Sequence, residues 1–149
     1  MAKFLVFLCL LFSSSLVTSF AGQENSGHGI IATPINISDH SRTVIGQKFE
    51  YPSGVPALYP YHIAIKKGSK TKWHTHQTPL FAYVLSGKLT VDYGSKGRFD
   101  FHKGMSFIEA LDWCHQGFVS TEEGAEIFAL YIARVNSDDK KSSTCDEGH

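Results

Sequence analysis

Short runs rich in Val, Ile, Phe, Tyr and Thr fill the middle of this chain, each broken within a few residues by Gly, Pro, Ser or Asp. No stretch keeps a capped helical period long enough to compete. β-branched and aromatic side chains suit a pleated surface, and turn residues at such close intervals leave little room for helices. The runs predict strands over residues 44–51, 58–66, 72–76, 81–86, 88–93, 98–102, 105–109, 117–120 and 126–135. Tyr93-Gly94-Ser95-Lys96-Gly97 and Lys67-Gly68-Ser69-Lys70 have the composition of hairpin turns. Many short strands at even spacing specify an all-β sandwich or a small barrel.

The chain has 149 residues, the size of one domain. Hydrophobic residues make up 42% and aromatics 13%, enough for a packed core rather than disorder. The formal net charge is zero, so the basic footprint of a nucleic-acid binder is missing and no such partner is expected.

The first residues read as an address. Lys3 precedes an unbroken apolar run from Phe4 to Phe12, too short to span a bilayer, and the small residues around Ser19 and Ala21 suit a signal peptidase. Residues 1–21 are therefore expected to be a cleaved signal peptide, which places the mature protein in a periplasm or outside the cell, with no membrane partner after cleavage. Residues 22–42 form an N-terminal arm: its start is polar and glycine-rich, and Ile30 to Ile37 is apolar enough for an edge strand. Within it, Asn36-Ile37-Ser38 is a glycosylation acceptor pattern, meaningful only in a eukaryotic secretory route. The folded body is expected at 43–135, and 136–149, polar and without apolar period, as a flexible C-terminal tail. Cys114 and Cys145 remain in the mature chain. Such a pair in an exported protein can be a disulfide, but the polar surroundings of Cys145 favour two free thiols.

Chemistry concentrates at His74-Thr75-His76. Two histidines at i and i+2 on an extended strand face the same way and can share one metal ion. His115, just past the run Gly104 to Ala110, is the third candidate ligand. Three imidazoles leave open positions on a divalent ion, which can then hold substrate as well as protein.

Trp73-His74-Thr75-His76, then Pro79, then Ala82-Tyr83-Val84-Leu85-Ser86-Gly87-Lys88-Leu89 resembles the first motif of the cupin superfamily. Gly104, followed by five residues, Ala110 and then His115, resembles the second. The short gap from Gly87 to Gly104 is similar to that of small bacterial single-domain cupins. Tyr51-Pro52-Ser53-Gly54-Val55-Pro56, ahead of the first motif, and Phe107-x-Glu109-Ala110 in the second resemble a narrower group of exported cupins. The resemblance runs from about Val44 to Ile132. It implies a double-stranded β-helix (the jelly-roll cupin barrel) over 43–135, a homodimer, and one divalent metal on His74, His76 and His115. Two departures matter. Leu80 stands where the family commonly supplies a glutamate ligand, and Ala110 and Asp112 replace the usual proline and glycine. A purely histidine set leaves the ion its full charge. Three-histidine cupins that cleave diketones or oxidise thiols resemble this arrangement, which puts iron(II) first, with zinc, manganese, nickel and copper as alternatives.

The implied function is a metal-binding cupin acting on a small molecule, of non-haem dioxygenase-like type; the alternative is an exported, non-catalytic cupin that binds a small molecule or a metal. Glu109 is the candidate catalytic group. It can orient an imidazole, act as a general base, or be an exposed strand-end carboxylate. His62 and His102 read as surface groups, Trp73 and Tyr83 as core or rim aromatics, Asp112 as a turn residue, and Gln77 as a weak polar contact.

Overall fold

The computed structural model describes residues 29–37, 39–137 and 142–146. The expected signal segment, 1–21, lies outside them, as do parts of the arm and tail. The chain divides into two compact units, Met1–Pro34 and Ile35–His149. Of the first, residues 29–34 are described and form no strand.

Nine strands are described in the second unit: β1 (Asn36–Ile37), β2 (Pro56–Ile65), β3 (His74–Thr75), β4 (Leu80–Asp92), β5 (Arg98–His102), β6 (Met105–Ile108), β7 (Gln116–Phe118), β8 (Ala125–Arg134) and β9 (Ser143–Thr144). The main sheet runs β1-β6-β4-β8-β2, with β5 and β7 also on β4, and β3 pairs β9 separately. The fold is all-β, the expected double-stranded β-helix.

The long strand β4 organises it. The expected break into two strands at Gly87 does not occur. Instead the register against β8 shifts between Val84 and Ser86. Before the shift Leu80, Ala82 and Val84 are buried; after it, Leu89 and Val91 are. One extra residue, Leu85, thus reverses the alternation, as a bulge does. The first half of β4 pairs β6 and β8 and the second half β5 and β7, so one strand serves two sets of partners. Gly87 is required there: its φ is +71°, and a Cβ would collide with the Gly124 carbonyl oxygen.

The core lies between these surfaces. Val84, Val91, Tyr93, Phe107 and Val119 are almost fully buried, and Phe101 stacks on Phe107 at 3.7 Å. Removing a side chain such as Phe107 to alanine belongs to the class of change that costs about 3–5 kcal/mol.

The strand expected at 44–51 is absent. Gly46 has a φ of +85° and turns the chain back, with Thr43 N–H donating to the Gln47 carbonyl at 2.8 Å. The Gln47 side chain then stands in for a strand partner: its amide donates to Leu111 O at 2.8 Å, and its Oε1 accepts from Leu111 N–H at 3.0 Å. Among the described residues of the arm, Asn36–Ile37 is the strand, parallel to β6. In the C-terminal segment, Ser143–Thr144 pairs with β3 in register, Thr144 opposite His74. β2 ends the main sheet, with β8 as its strand neighbour, and Leu58, Tyr61 and Ile63 on it are exposed.

Candidate metal centre

His74 and His115 meet through the backbone first. Each donates its N–H to the other's carbonyl, at 2.9 and 3.0 Å. This brings His74, at the start of β3, alongside the approach to β7. His76 is placed by a bridge to Leu111 and accepts Asp112 N–H at 2.8 Å on its carbonyl. Asp112 sits at a φ of +48°. That conformation accounts for glycine at this position in the resembling motif, and Asp is one of the few other residues that tolerate it.

The three rings cluster with centroids 4.5, 4.9 and 5.1 Å apart, and their ligand nitrogens all lie within 4.8 Å of one another. The tautomers are set from outside the cluster. His74 Nδ1–H donates to Lys72 O at 2.7 Å, and His115 Nδ1–H donates to Trp113 O at 2.8 Å. A carbonyl only accepts, so both rings carry their proton on Nδ1 and present a bare Nε2. His76 Nδ1 lies 3.3 Å from the Tyr131 hydroxyl. His115 Nε2 is buried and has no hydrogen-bond partner. A buried polar atom left this way costs roughly 1–3 kcal/mol unless something meets it. A cation on the three nitrogens meets it, so these residues fit a divalent metal.

Electrostatics agree with that fit. Burial, then the neighbouring His115, lowers the His74 pKa; burial, then His115 and His74, brings His76 down to about 3. Both rings are therefore neutral and ready to ligate at ordinary pH. Neutrality also has a cost in acid. Unfolded, His76 takes up a proton near its ordinary value of 6.5; folded, it resists until about 3. Stability of the metal-free protein is full above the upper value and is lost as pH falls toward the lower one. At pH 5 the loss from this one group is about 2 kcal/mol. Melting of chelator-treated protein is expected to drop on the order of 5 °C between neutral pH and pH 5. An unchanged Tm contradicts a buried, neutral His76.

Glu109, just past β6, is not an exposed strand-end carboxylate, which removes one of its three readings: it is 6% exposed. Its Oε1 accepts the Tyr93 hydroxyl at 2.6 Å and the Ala110 N–H at 2.7 Å. Its Oε2 faces His115 Nε2 at 3.7 Å. Tyr93 is itself fully buried, and burial together with the Glu109 charge holds its phenol well above the usual tyrosine range, so it stays a donor.

The three histidines and Glu109 line a cavity of about 160 Å³. The rest of its lining is mostly hydrocarbon, including Ile65, Leu80, Val91, Phe107 and Ile127, with Thr71, Tyr131 and Ser142 as its other polar residues. Burial first, then Tyr61 and Glu109, pushes Tyr131 up to about 12. Leu80 is in the wall, at the position where the resembling motif has its carboxylate. The remaining candidates lie elsewhere: His62 is exposed and 3.2 Å from Glu126, while His102 and Gln77 are exposed.

Sequence reasoning missed Tyr93 and Tyr131. Tyr93 read as a turn residue. Tyr131 had a usable signal: in β8 the inward positions are Ala125, Ile127, Ala129 and Ala133, and Tyr131 interrupts that apolar series. The free-thiol reading is corrected as well, because Cys114 and Cys145 form a disulfide with Cα atoms 6.1 Å apart. The reason is tertiary: β9 pairs beside His74, and Cys145 N–H donates to Trp73 O at 3.1 Å, which carries Cys145 to its partner.

Fold and site together define a small β-barrel with a three-histidine cluster able to hold a metal. Residues 61–131 match the family described as the cupin domain. Over those residues the chain is similar to the cupin domain. Among solved structures it is similar to a cupin-like protein of Thermotoga maritima, at 15% identity and a TM-score of 0.50, over 62% of this chain and 67% of that one. It is also similar to a variant of the Bacillus subtilis oxalate decarboxylase, at 22% identity and a TM-score of 0.50, over 59% of this chain but only 24% of that one. A cupin family protein with a double-stranded β-helix from Methanocaldococcus jannaschii matches at 12% identity and a TM-score of 0.47, over 50% and 69%. No curated protein matches the chain by sequence.

Proposed function

We propose that this chain is an exported, metal-dependent cupin of dioxygenase-like type that acts on a small molecule, with iron(II) the ion assigned first. The observation that carries the reading is the set of three imidazoles lining one largely apolar cavity with their ligand nitrogens within 4.8 Å of one another, the carbonyls of Lys72 and Trp113 fixing two of the rings. His74, His76 and His115 hold the ion, which supplies Lewis acidity and redox chemistry when bound. Leu80 adds no ligand, so substrate has room to approach. Glu109, anchored through Oε1, has Oε2 available to take a proton from the substrate.

Export is supported by the Cys114–Cys145 disulfide, since such bonds persist in oxidising compartments. For assembly the reading is a homodimer joined along β2, whose position at the sheet end and exposed Leu58, Tyr61 and Ile63 favour pairing. A monomeric mass by light scattering at high protein concentration rejects that assembly.

The experiment for function is direct. Iron(II)-loaded protein is expected to consume oxygen when offered a panel of small enolates and thiols. Stoichiometric metal with no turnover, across both oxygenase and hydrolase panels, decides for the non-catalytic binding protein.

A further inference from the structure

The charge and size of the cavity restrict what can sit beside the three histidines. No lysine or arginine is among the described residues that line it. The one acidic group is Glu109, whose Oε1 is already committed to Tyr93 and Ala110 while Oε2 faces the cluster. Walls of Leu80, Ala82, Val91, Phe107 and Ile127 surround the remaining space. Uncompensated charge in such surroundings is heavily penalised. A divalent ion on the histidines brings two positive charges, and the Glu109 carboxylate cancels one. A ligand with one negative charge closes the balance. A dianion leaves a net negative charge in largely hydrocarbon surroundings, with no cationic side chain among the described lining residues to receive it.

Size sets the second limit. Cavities of about 150 Å³ lined by aliphatic and aromatic side chains hold a benzene-sized molecule. The present one, at about 160 Å³, is of that scale. Its apolar lining includes Ile63 and Ile65 on β2.

We infer that the ligand selected here is a compact monoanion, with a metal-chelating head and a small branched apolar body, and that Glu109 is the residue setting the charge limit. This rests on the metal-site reading above. It goes further by excluding dicarboxylates and bulky aromatic acids and by giving Glu109 a role in specificity that is separate from proton transfer.

The test compares ligands of matched shape on cobalt(II)-loaded protein, followed by the visible spectrum of the ion, with cobalt content measured after each titration. Oxamate and oxalate have nearly the same outline and differ by one charge. Pyruvate and 2-oxoisovalerate share one head and differ in apolar bulk, and phenylpyruvate exceeds the cavity. Each affinity is divided by that of the same ligand for aqueous cobalt(II). Wild-type protein is expected to disfavour oxalate relative to oxamate by tenfold or more, to prefer 2-oxoisovalerate over pyruvate by roughly tenfold, and to bind phenylpyruvate poorly. In Glu109→Gln the penalty on oxalate is expected to shrink by tenfold or more at equal cobalt content.

Full cobalt occupancy with oxalate bound as well as oxamate overturns the inference and leaves the metal site standing. Absence of cobalt from wild-type protein overturns both. An unchanged oxalate penalty in cobalt-loaded Glu109→Gln removes Glu109 as its source. The wild-type comparison decides the ligand class even where that variant does not fold.

Discussion

His76→Ala is expected to abolish stoichiometric metal binding, lowering affinity by on the order of a hundredfold or more. Losing even a group that only orients a ligand costs ten- to a hundredfold, and His76 supplies one of three nitrogens. Among the described neighbours, Leu80 is hydrocarbon, Glu109 faces His115, and Tyr131 keeps its phenol proton, so none replaces the lost nitrogen. Elemental analysis after dialysis against a weak chelator reads the effect, with His62→Ala, an exposed residue outside the cluster, as control. His74→Ala and His115→Ala are expected to behave like His76→Ala. His115→Ala carries an added signature, because it also deletes the buried, unpartnered Nε2. Retention of metal at wild-type stoichiometry in all three variants excludes the site.

Glu109→Gln is expected to lower turnover by roughly a hundredfold or more while metal content holds, within the range for loss of a positioned acid or base. The substitution is conservative in shape. The glutamine oxygen can accept the Tyr93 hydroxyl and Ala110 N–H as Oε1 now does, at 2.6 and 2.7 Å. The second oxygen becomes an amide that donates and cannot take a proton. The effect therefore falls on kcat rather than on the fold, which a melting curve run in parallel checks. Tyr93→Phe, which removes one anchor and leaves the carboxylate, is expected to have a smaller effect. Wild-type turnover in Glu109→Gln takes this residue out of the mechanism.

The β architecture was legible because strand composition and turn residues carry it locally. The histidine cluster was partly legible: the i, i+2 spacing places His74 beside His76, whereas the approach of His115 rests on the motif resemblance and on a backbone pairing no local pattern encodes. Long-range partnerships were hidden. Glu109 reads as a strand end until Tyr93, sixteen positions earlier, is seen to cover it. Cys145 reads as a tail residue until β9 docks on β3. Residues 44–51 have strand composition, yet Gly46 and the Gln47 side chain settle that segment as a turn braced on Leu111. Local preference gave way in each case to a contact made elsewhere in the fold.

The bulge at Leu85 also bears on how such a cavity can change over time. Opposite walls are drawn from one strand, Leu80 and Ala82 from one phase and Leu89 and Val91 from the other. Substitutions at these four positions can resize or repolarise the chamber one side chain at a time. Loss of the extra residue, Leu85, is a different kind of event. It restores unbroken alternation with Leu89 and Val91 still in phase with Leu80 and Ala82, but it removes the local bend that a bulge gives the strand. The cavity is thus open to gradual variation by replacement, whereas a change of length at the bulge alters how the strand curves between its walls.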